Sequence, residues 1–329
     1  MNRSSNKLLQ KWHFIEDELT EVEQRIQQII ESAGPEIKGV GTYVFNGAGK
    51  RMRPTLFLLA SYHSQSSLFP YIDAAAAMEI IHTASLLHDD VIDQASMRRG
   101  KETVNIKWDN KISVLYGDYL LSQALRLLVS YQDWRLMEIF VEIVRNMAEG
   151  EIEQAFADTS LTDLEERYFE WIGKKSASFF AGCCQAGSLL SGGDSDEQDN
   201  WIKYGYNLGM AFQLIDDLLD YTGKVKLTGK PVYGDLNNRI ITLPLIRGIN
   251  SNHQDSSIYR LLDHKKVSDN QLSMVVQAVL ESDGPEYTYR KASEYALRAD
   301  DVIKNFRGMN DDLKEALKEL TRVVLNRKN

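Results

Sequence analysis

Residues 74–93 read AAAAMEIIHTASLLHDDVID, and residues 201–221 read WIKYGYNLGMAFQLIDDLLDY. Both stretches are apolar on most sides at helical spacing, which predicts helices buried in the middle of a large bundle rather than lying on its surface. Each carries three aspartates near its end: Asp89, Asp90 and Asp93 in one, Asp216, Asp217 and Asp220 in the other. The first and last of each trio are four residues apart, so two carboxylates share one helix face a turn apart. Like charges at that spacing destabilise an isolated helix by roughly a few tenths of a kcal/mol, and burying them in apolar surroundings costs more. The pattern predicts a cationic species on that face. With 25 aspartates in 329 residues, chance predicts about 0.14 occurrences of the pattern. Two occur, each inside an apolar helix, so they read as functional. The pairs Asp300-Asp301 and Asp311-Asp312 read as plain solvated faces.

The rest of the chain extends the helical reading. Its six prolines stand at 35, 54, 70, 231, 244 and 285, which leaves the long middle open to helices. Alternating strand patterns with Asn-Gly or Asp-Gly turns are missing. Residues 10–31, 133–157 and 290–325 look amphipathic and peripheral. Breaks are expected at Ser32 to Gly41, Asn46 to Arg53, Ser64 to Pro70, Gln94 to Thr103, Ser191 to Asp199, Thr222 to Asn238 and near Gly284-Pro285. None is long or biased enough to be an interdomain linker. The expectation is one all-α domain spanning 1–329, with ten or so helices.

Composition excludes several classes. Lys plus Arg number 38 against 47 Asp plus Glu, a net charge of −9, so no global basic field exists to hold nucleic acid. At 43% apolar and 26% charged residues the chain is not mainly disordered. Its N-terminus mixes charges into the apolar positions, unlike a secretory signal, and no run of 18 apolar residues predicts a membrane span. The two cysteines, Cys183 and Cys184, are adjacent, which argues against a structural disulfide between them and for a reducing, cytoplasmic setting.

Hard oxygen ligands without His or Cys select magnesium, with manganese as a substitute, and magnesium keeps waters and substrate phosphates in its shell. All six clustered aspartates are therefore candidate metal ligands, and the partner they predict is a polyanion carried by metal ions. Local basic clusters supply the other half of such a site. GAGKRMRP at 47–54 places Lys50, Arg51 and Arg53 on a glycine-flanked turn before a helix, although it lacks the order of a P-loop. Arg98 and Arg99 follow directly on the first acidic helix. His82 lies seven residues before Asp89 on nearly the same face, and Gln213 shares the face of Asp216, Asp217 and Asp220 at spacing i, i+3, i+4, i+7. Lys174, Lys175, Ser176 and Lys230 complete the candidate phosphate donors. Taken singly, each is an ordinary surface or core residue.

Together, GKRMRP, HTASLLHDDVID, MRRG, YGDYLL, MAEGEIEQ, AFQLIDDLLDYTG, GKPVYGDL and TLPL resemble, in order and spacing, the trans-isoprenyl diphosphate synthases of the polyprenyl synthetase family. The resemblance covers most of the chain except the last 80 residues. It implies an all-α isoprenyl synthase bundle in which the two acidic helices face each other across a deep central cavity. It further implies that Asp89, Asp93 and Asp216 bind the magnesium carrying an allylic diphosphate, helped by Arg98, Lys175, Ser176, Gln213 and Lys230. Lys50, Arg53, His82 and Arg99 would bind isopentenyl diphosphate. The implied chemistry is head-to-tail condensation, with preorganised charge stabilising the departing diphosphate and no side-chain nucleophile. The implied partners are a second copy or a small regulatory subunit, with transient membrane contact for an oily product and no nucleic acid.

Small side chains at Ala84 and Ser85, one turn before Asp89, leave the path of a growing chain open. They point to a product of six to eight isoprene units, heptaprenyl being the expected one, for a quinone such as menaquinone. Ile81, Met78 and residues near Leu120 to Leu128 are candidate floor residues and equally good core. Two departures from the family pattern stand out: Ser176 in place of threonine, and Arg239-Ile240 where glycine and often lysine occur. A catalytically silent or partner-dependent subunit is the alternative from another class. A terpene cyclase is disfavoured by DDLLD in the second cluster and by the basic turn GKRMRP.

Overall fold

The computed structural model describes residues 13–46, 49–62, 67–157, 163–222, 236, 238, 240–251 and 269–327. These form fourteen α-helices, a few short turns of other helix types and one small hairpin. They fall into two compact units, one within Met1–Val141, Gly182–Ile202 and Phe306–Ala316, the other within Glu142–Ala181, Lys203–Asn305 and Leu317–Asn329.

The described residues open with a short 3-10 turn (His13–Ile15) that leads into α1 (Glu16–Glu31), which buries Val22, Ile26, Ile29 and Ile30 and leads with Glu16, Asp17 and Glu18, acidic residues that suit a helix N-terminus. The break expected at Ser32 to Gly41 shrinks to three residues, because Pro35 sits at the first position of α2 (Pro35–Phe45) after Gly34. There its fixed φ helps and its missing N–H costs nothing. After α3 (Met52–Ala60) comes α4 (Ile72–Ile92), the first acidic helix. Its residues Ala74 to Met78 are fully buried.

A tight hairpin of β1 (Met97–Arg98) and β2 (Lys101–Glu102) follows, with Met97 opposite Glu102 and Arg98 opposite Lys101. Arg99 and Gly100 both take positive φ, 51° and 75°, as the two central residues of a type I′ hairpin turn must. This pair of strands stands where only a break was expected. Next come α5 (Val104–Lys107) and α6 (Asn110–Val129), the latter capped by Asp109, whose side chain accepts from the Ile112 N–H at 2.7 Å. Helices α4 and α6 pack along each other. Ser113 donates to the Leu87 carbonyl at 2.9 Å, and the Ala74 N–H donates to the Tyr131 hydroxyl at 3.2 Å, so the two run antiparallel.

Then follow α7 (Trp134–Ala155) and α8 (Leu164–Ile172), which runs through a π-helical turn (Gly173–Ala177) into α9 (Ser178–Leu190). The second acidic helix is α10 (Ser195–Thr222), and the chain ends with α11 (Leu243–Ser251), α12 (Asp269–Glu281), α13 (Gly284–Ile303) and α14 (Asp311–Leu325). In the second unit Tyr168, Trp171, Met210, Leu214, Ile246 and Ala292 belong to one apolar core. Amphipathicity in 290–325 resolves into two helices, broken near Gly308 at φ 70°. Asp311 and Asp312 are exposed as expected. Asp300 is not: it is half-buried, and burial pushes its carboxyl up against the opposing effect of Thr321 and Arg322. Among the described residues no helix is long and apolar enough to cross a membrane.

Candidate functional site

In the first unit the acidic trio splits. Asp93 stands at the C-terminal cap of α4 in helical conformation, its N–H bonded to the Asp89 carbonyl at 2.8 Å, so the turn between the two carboxylates is kept. Both side chains are half-buried. Asp90 points the other way, is 3% exposed, and accepts from Arg98 Nε at 2.7 Å. A lone buried carboxylate is costly, and Arg98, on the first strand of the hairpin, compensates it.

The basic turn and the hairpin meet. A Cβ built on Gly49 would lie 2.9 Å from Arg51 Nη1 and 3.4 Å from Arg99 Nη1. Arg51 is itself anchored: it takes φ 48°, donates to Glu79 at 2.7 Å and to Glu23 at 2.9 Å, and its charge is favoured because these carboxylates outweigh the effect of its burial. Lys50 beside it is exposed. Burial first, then the charges of Arg53, Arg99, Arg98 and Arg51, hold the His82 imidazole well below its ordinary value. A neutral ring that feels four guanidinium groups marks a place whose electrostatics favour a polyanion.

In the second unit α10 presents Asp216 and Asp220, both half-buried, while Asp217 is 4% exposed. Tyr168 donates to Asp217 Oδ2 at 2.5 Å, Gln213 Nε2 donates to Asp217 Oδ1 at 2.7 Å, and Ser176 Oγ donates to Gln213 Oε1 at 2.6 Å. Lys175 pairs with Glu151 and donates to Gln154 at 3.1 Å. Both it and Ser176 ride on the π-helical turn, a local widening that recurs at functional sites. Gly150 of α7 lies against that turn: a Cβ there would be 2.8 Å from Lys175 N and 2.8 Å from the Trp171 carbonyl. Backbone atoms cannot step aside as a side-chain tip does. Gly150→Ala is therefore expected to cost about 1–3 kcal/mol of stability and to lower turnover severalfold by displacing Lys175. An unchanged denaturation midpoint would refute this close contact.

One residue of this site escaped the sequence reading. Arg327, near the C-terminus, places Nη2 3.3 Å from Asp216 Oδ1 and stacks on the Phe212 ring at 4.3 Å. Its Nε and Nη1 are buried without a hydrogen-bond partner. Orphaned guanidinium donors beside a metal-binding type of carboxylate suit a diphosphate oxygen.

Thus Lys50, Arg53, His82, Arg98, Arg99 and the first aspartates belong to one unit, and Lys175, Ser176, Gln213 and the second aspartates to the other. Lys230 and Arg239 lie outside the described residues, and Ile240 is half-buried. A surface groove of about 430 Å³ beside Tyr206 and Tyr295 contains none of these side chains. The outward carboxylates fit magnesium by donor chemistry, all oxygen. Among the described residues no three His, Cys, Asp or Glu side chains form a ready-made cage, which magnesium does not require, since it is ordinarily held by one or two carboxylates with waters and substrate phosphates.

The family model Polyprenyl synthetase matches residues 34–279. The chain is 30% identical over 293 residues to heptaprenyl diphosphate synthase component 2 of Bacillus subtilis, covering 89% of this chain and 84% of the relative. It is 36% identical over 264 residues to octaprenyl diphosphate synthase of Escherichia coli, covering 80% and 82%. Among solved structures, a polyprenyl synthase from Caulobacter crescentus complexed with calcium and isoprenyl diphosphate superposes with a TM-score of 0.92 at 30% identity, covering 99% of this chain and 98% of that one.

Proposed function

The chain belongs to the polyprenyl synthetase family and is a prenyltransferase of the trans-polyprenyl diphosphate synthase type, and from that premise we propose that it extends a farnesyl-type allylic diphosphate with isopentenyl diphosphate to a product of six to eight isoprene units, heptaprenyl diphosphate, for a quinone side chain. The carrying observation is the splitting of each aspartate trio into two half-buried carboxylates and one buried carboxylate. Asp89 and Asp93 are left on one helix face and Asp216 and Asp220 on another, with Asp90 and Asp217 held by their own protein donors.

In this reading Asp89 and Asp93 of one unit and Asp216 of the other would hold the magnesium that accompanies the allylic diphosphate, and Asp220 would support them. Bound magnesium would neutralise the diphosphate as it leaves. Lys175 and Arg327 add cationic donors on the allylic side, while Asp90 and Asp217 orient Arg98 and Gln213. Lys50, Arg53 and Arg99 hold isopentenyl diphosphate, with neutral His82 donating one N–H to it. The allylic C–O bond breaks, a C–C bond forms to the terminal alkene carbon of isopentenyl diphosphate, and one proton leaves to restore a double bond. Fixed positive charge aimed at the leaving group is the main contribution of the protein.

The name component 2 of the Bacillus relative supports a two-component enzyme, and a chain active alone is the other reading. Incubating the purified chain alone with farnesyl diphosphate, radiolabelled isopentenyl diphosphate and magnesium separates the two. A product ladder ending at seven units is the expected result. No product despite magnesium-dependent binding of both substrates would move the reading to a subunit that needs a partner, and a product outside six to eight units would overturn the length.

A further inference from the structure

We propose that Tyr168 is a positioning residue for prenyl transfer, fixing through Asp217 and Gln213 the π-helical turn that carries Lys175 and Ser176; this rests on the prenyltransferase reading above. No motif marks Tyr168. Its side chain is fully buried and wedged edge-on between neighbours, with ring centroids 5.5 Å from Phe169 and 5.8 Å from Trp171. The hydroxyl therefore has little freedom to wander.

Three bonds run toward the Asp217 carboxylate. The Tyr168 hydroxyl donates to Oδ2 at 2.5 Å. The other oxygen accepts from Gln213 Nε2 at 2.7 Å, which fixes the orientation of the amide. Its carbonyl end must then face Ser176, whose hydroxyl donates to it at 2.6 Å. Ser176 is left to present lone pairs, not its proton, to anything beyond. The chain of bonds links α8, α10 and the π-helical turn, so Lys175 and Ser176 are held against the helix that bears Asp216. A networked buried carboxylate with one donor removed can rotate, and its loosening passes to each later member. Near a diphosphate, a wandering Asp217 carboxylate also adds repulsion.

The test is Tyr168→Phe, which keeps the ring and deletes the hydroxyl, with Ser176→Ala and the double variant. Expected is a roughly tenfold rise in KM for the allylic diphosphate in each single variant, with KM for isopentenyl diphosphate unchanged. The double variant should be no worse than the worse single one, because both interrupt one network. Additive effects, or an unchanged allylic KM in Tyr168→Phe, would overturn the proposal.

If Tyr168→Phe folds poorly, Asp217→Asn replaces it and must give the same split between the two KM values. A second readout does not depend on turnover: in the ¹⁵N spectrum of the full chain, the Gln213 side-chain amide should shift and lose exchange protection in Tyr168→Phe. If the wild type makes no product, that readout still tests the relay, and an unmoved Gln213 amide would refute it. The prenyltransferase reading fails separately, by the absence of magnesium-dependent binding of inorganic pyrophosphate to the wild type.

Discussion

Asp216→Ala is expected to lower turnover at least about a thousandfold, roughly 4 kcal/mol of lost transition-state stabilisation, while the helical circular dichroism spectrum stays unchanged. The asymmetry follows from the surroundings. Asp216 is 38% exposed and pairs with Arg327 at 3.3 Å, a pair of the kind worth about 1 kcal/mol or less to folding. In the proposed mechanism its role in catalysis is larger, because a lost carboxylate ligand would weaken the hold on the metal that would neutralise the leaving diphosphate. Asp89→Ala should behave likewise. Asp301→Ala is the control, an aspartate 69% exposed that pairs with Lys304, and it should retain full activity. Steady-state rates over a magnesium titration check all three. Near-normal activity of Asp216→Ala at modest magnesium would remove Asp216 from the metal set.

Why some of this could be read from the sequence, and some could not, has a physical basis. The two acidic helices were legible because a helix converts sequence spacing directly into a shared face. Gln213, Asp216, Asp217 and Asp220 needed nothing beyond that period. Within each trio, however, the period does not say which carboxylate turns inward. The answer lies in partners outside each helix, Arg98 on the following strand for Asp90 and Tyr168, 49 residues away, for Asp217. Tyr168 sits among aromatic core residues, and nothing in its neighbourhood distinguishes a hydroxyl with a task from one merely satisfied. Arg327 lies in the part of the chain where the resemblance is thin. The hairpin escaped notice since two-residue strands have no period and its turn is Arg-Gly rather than Asn-Gly. Pro35 was read as a breaker, although at the first helical position it is a starter.

Ala84→Phe is expected to shorten the product so that the ladder ends before its wild-type limit, with the first condensation still proceeding. Ala84 is 3% exposed on α4, five residues before Asp89, or about 7.5 Å along the helix axis at roughly 1.5 Å per residue. A tail growing from the diphosphate along this helix meets position 84 early, and a phenyl ring there would block it. Where no open path adjoins the residue, the same ring has to be forced into packed side chains at about 1–3 kcal/mol or more. Product length and stability therefore read out two different environments of one side chain. The opposite change lies nearly one turn further on: Ile81, 1% exposed, becomes Ala and should lengthen the ladder if it forms part of the floor, at about 2–5 kcal/mol of stability. Chromatography of the dephosphorylated products, beside denaturant unfolding of each variant, gives both quantities. An unchanged length in Ala84→Phe together with a large loss of stability would show that position 84 is plain core, and that the tail follows another wall.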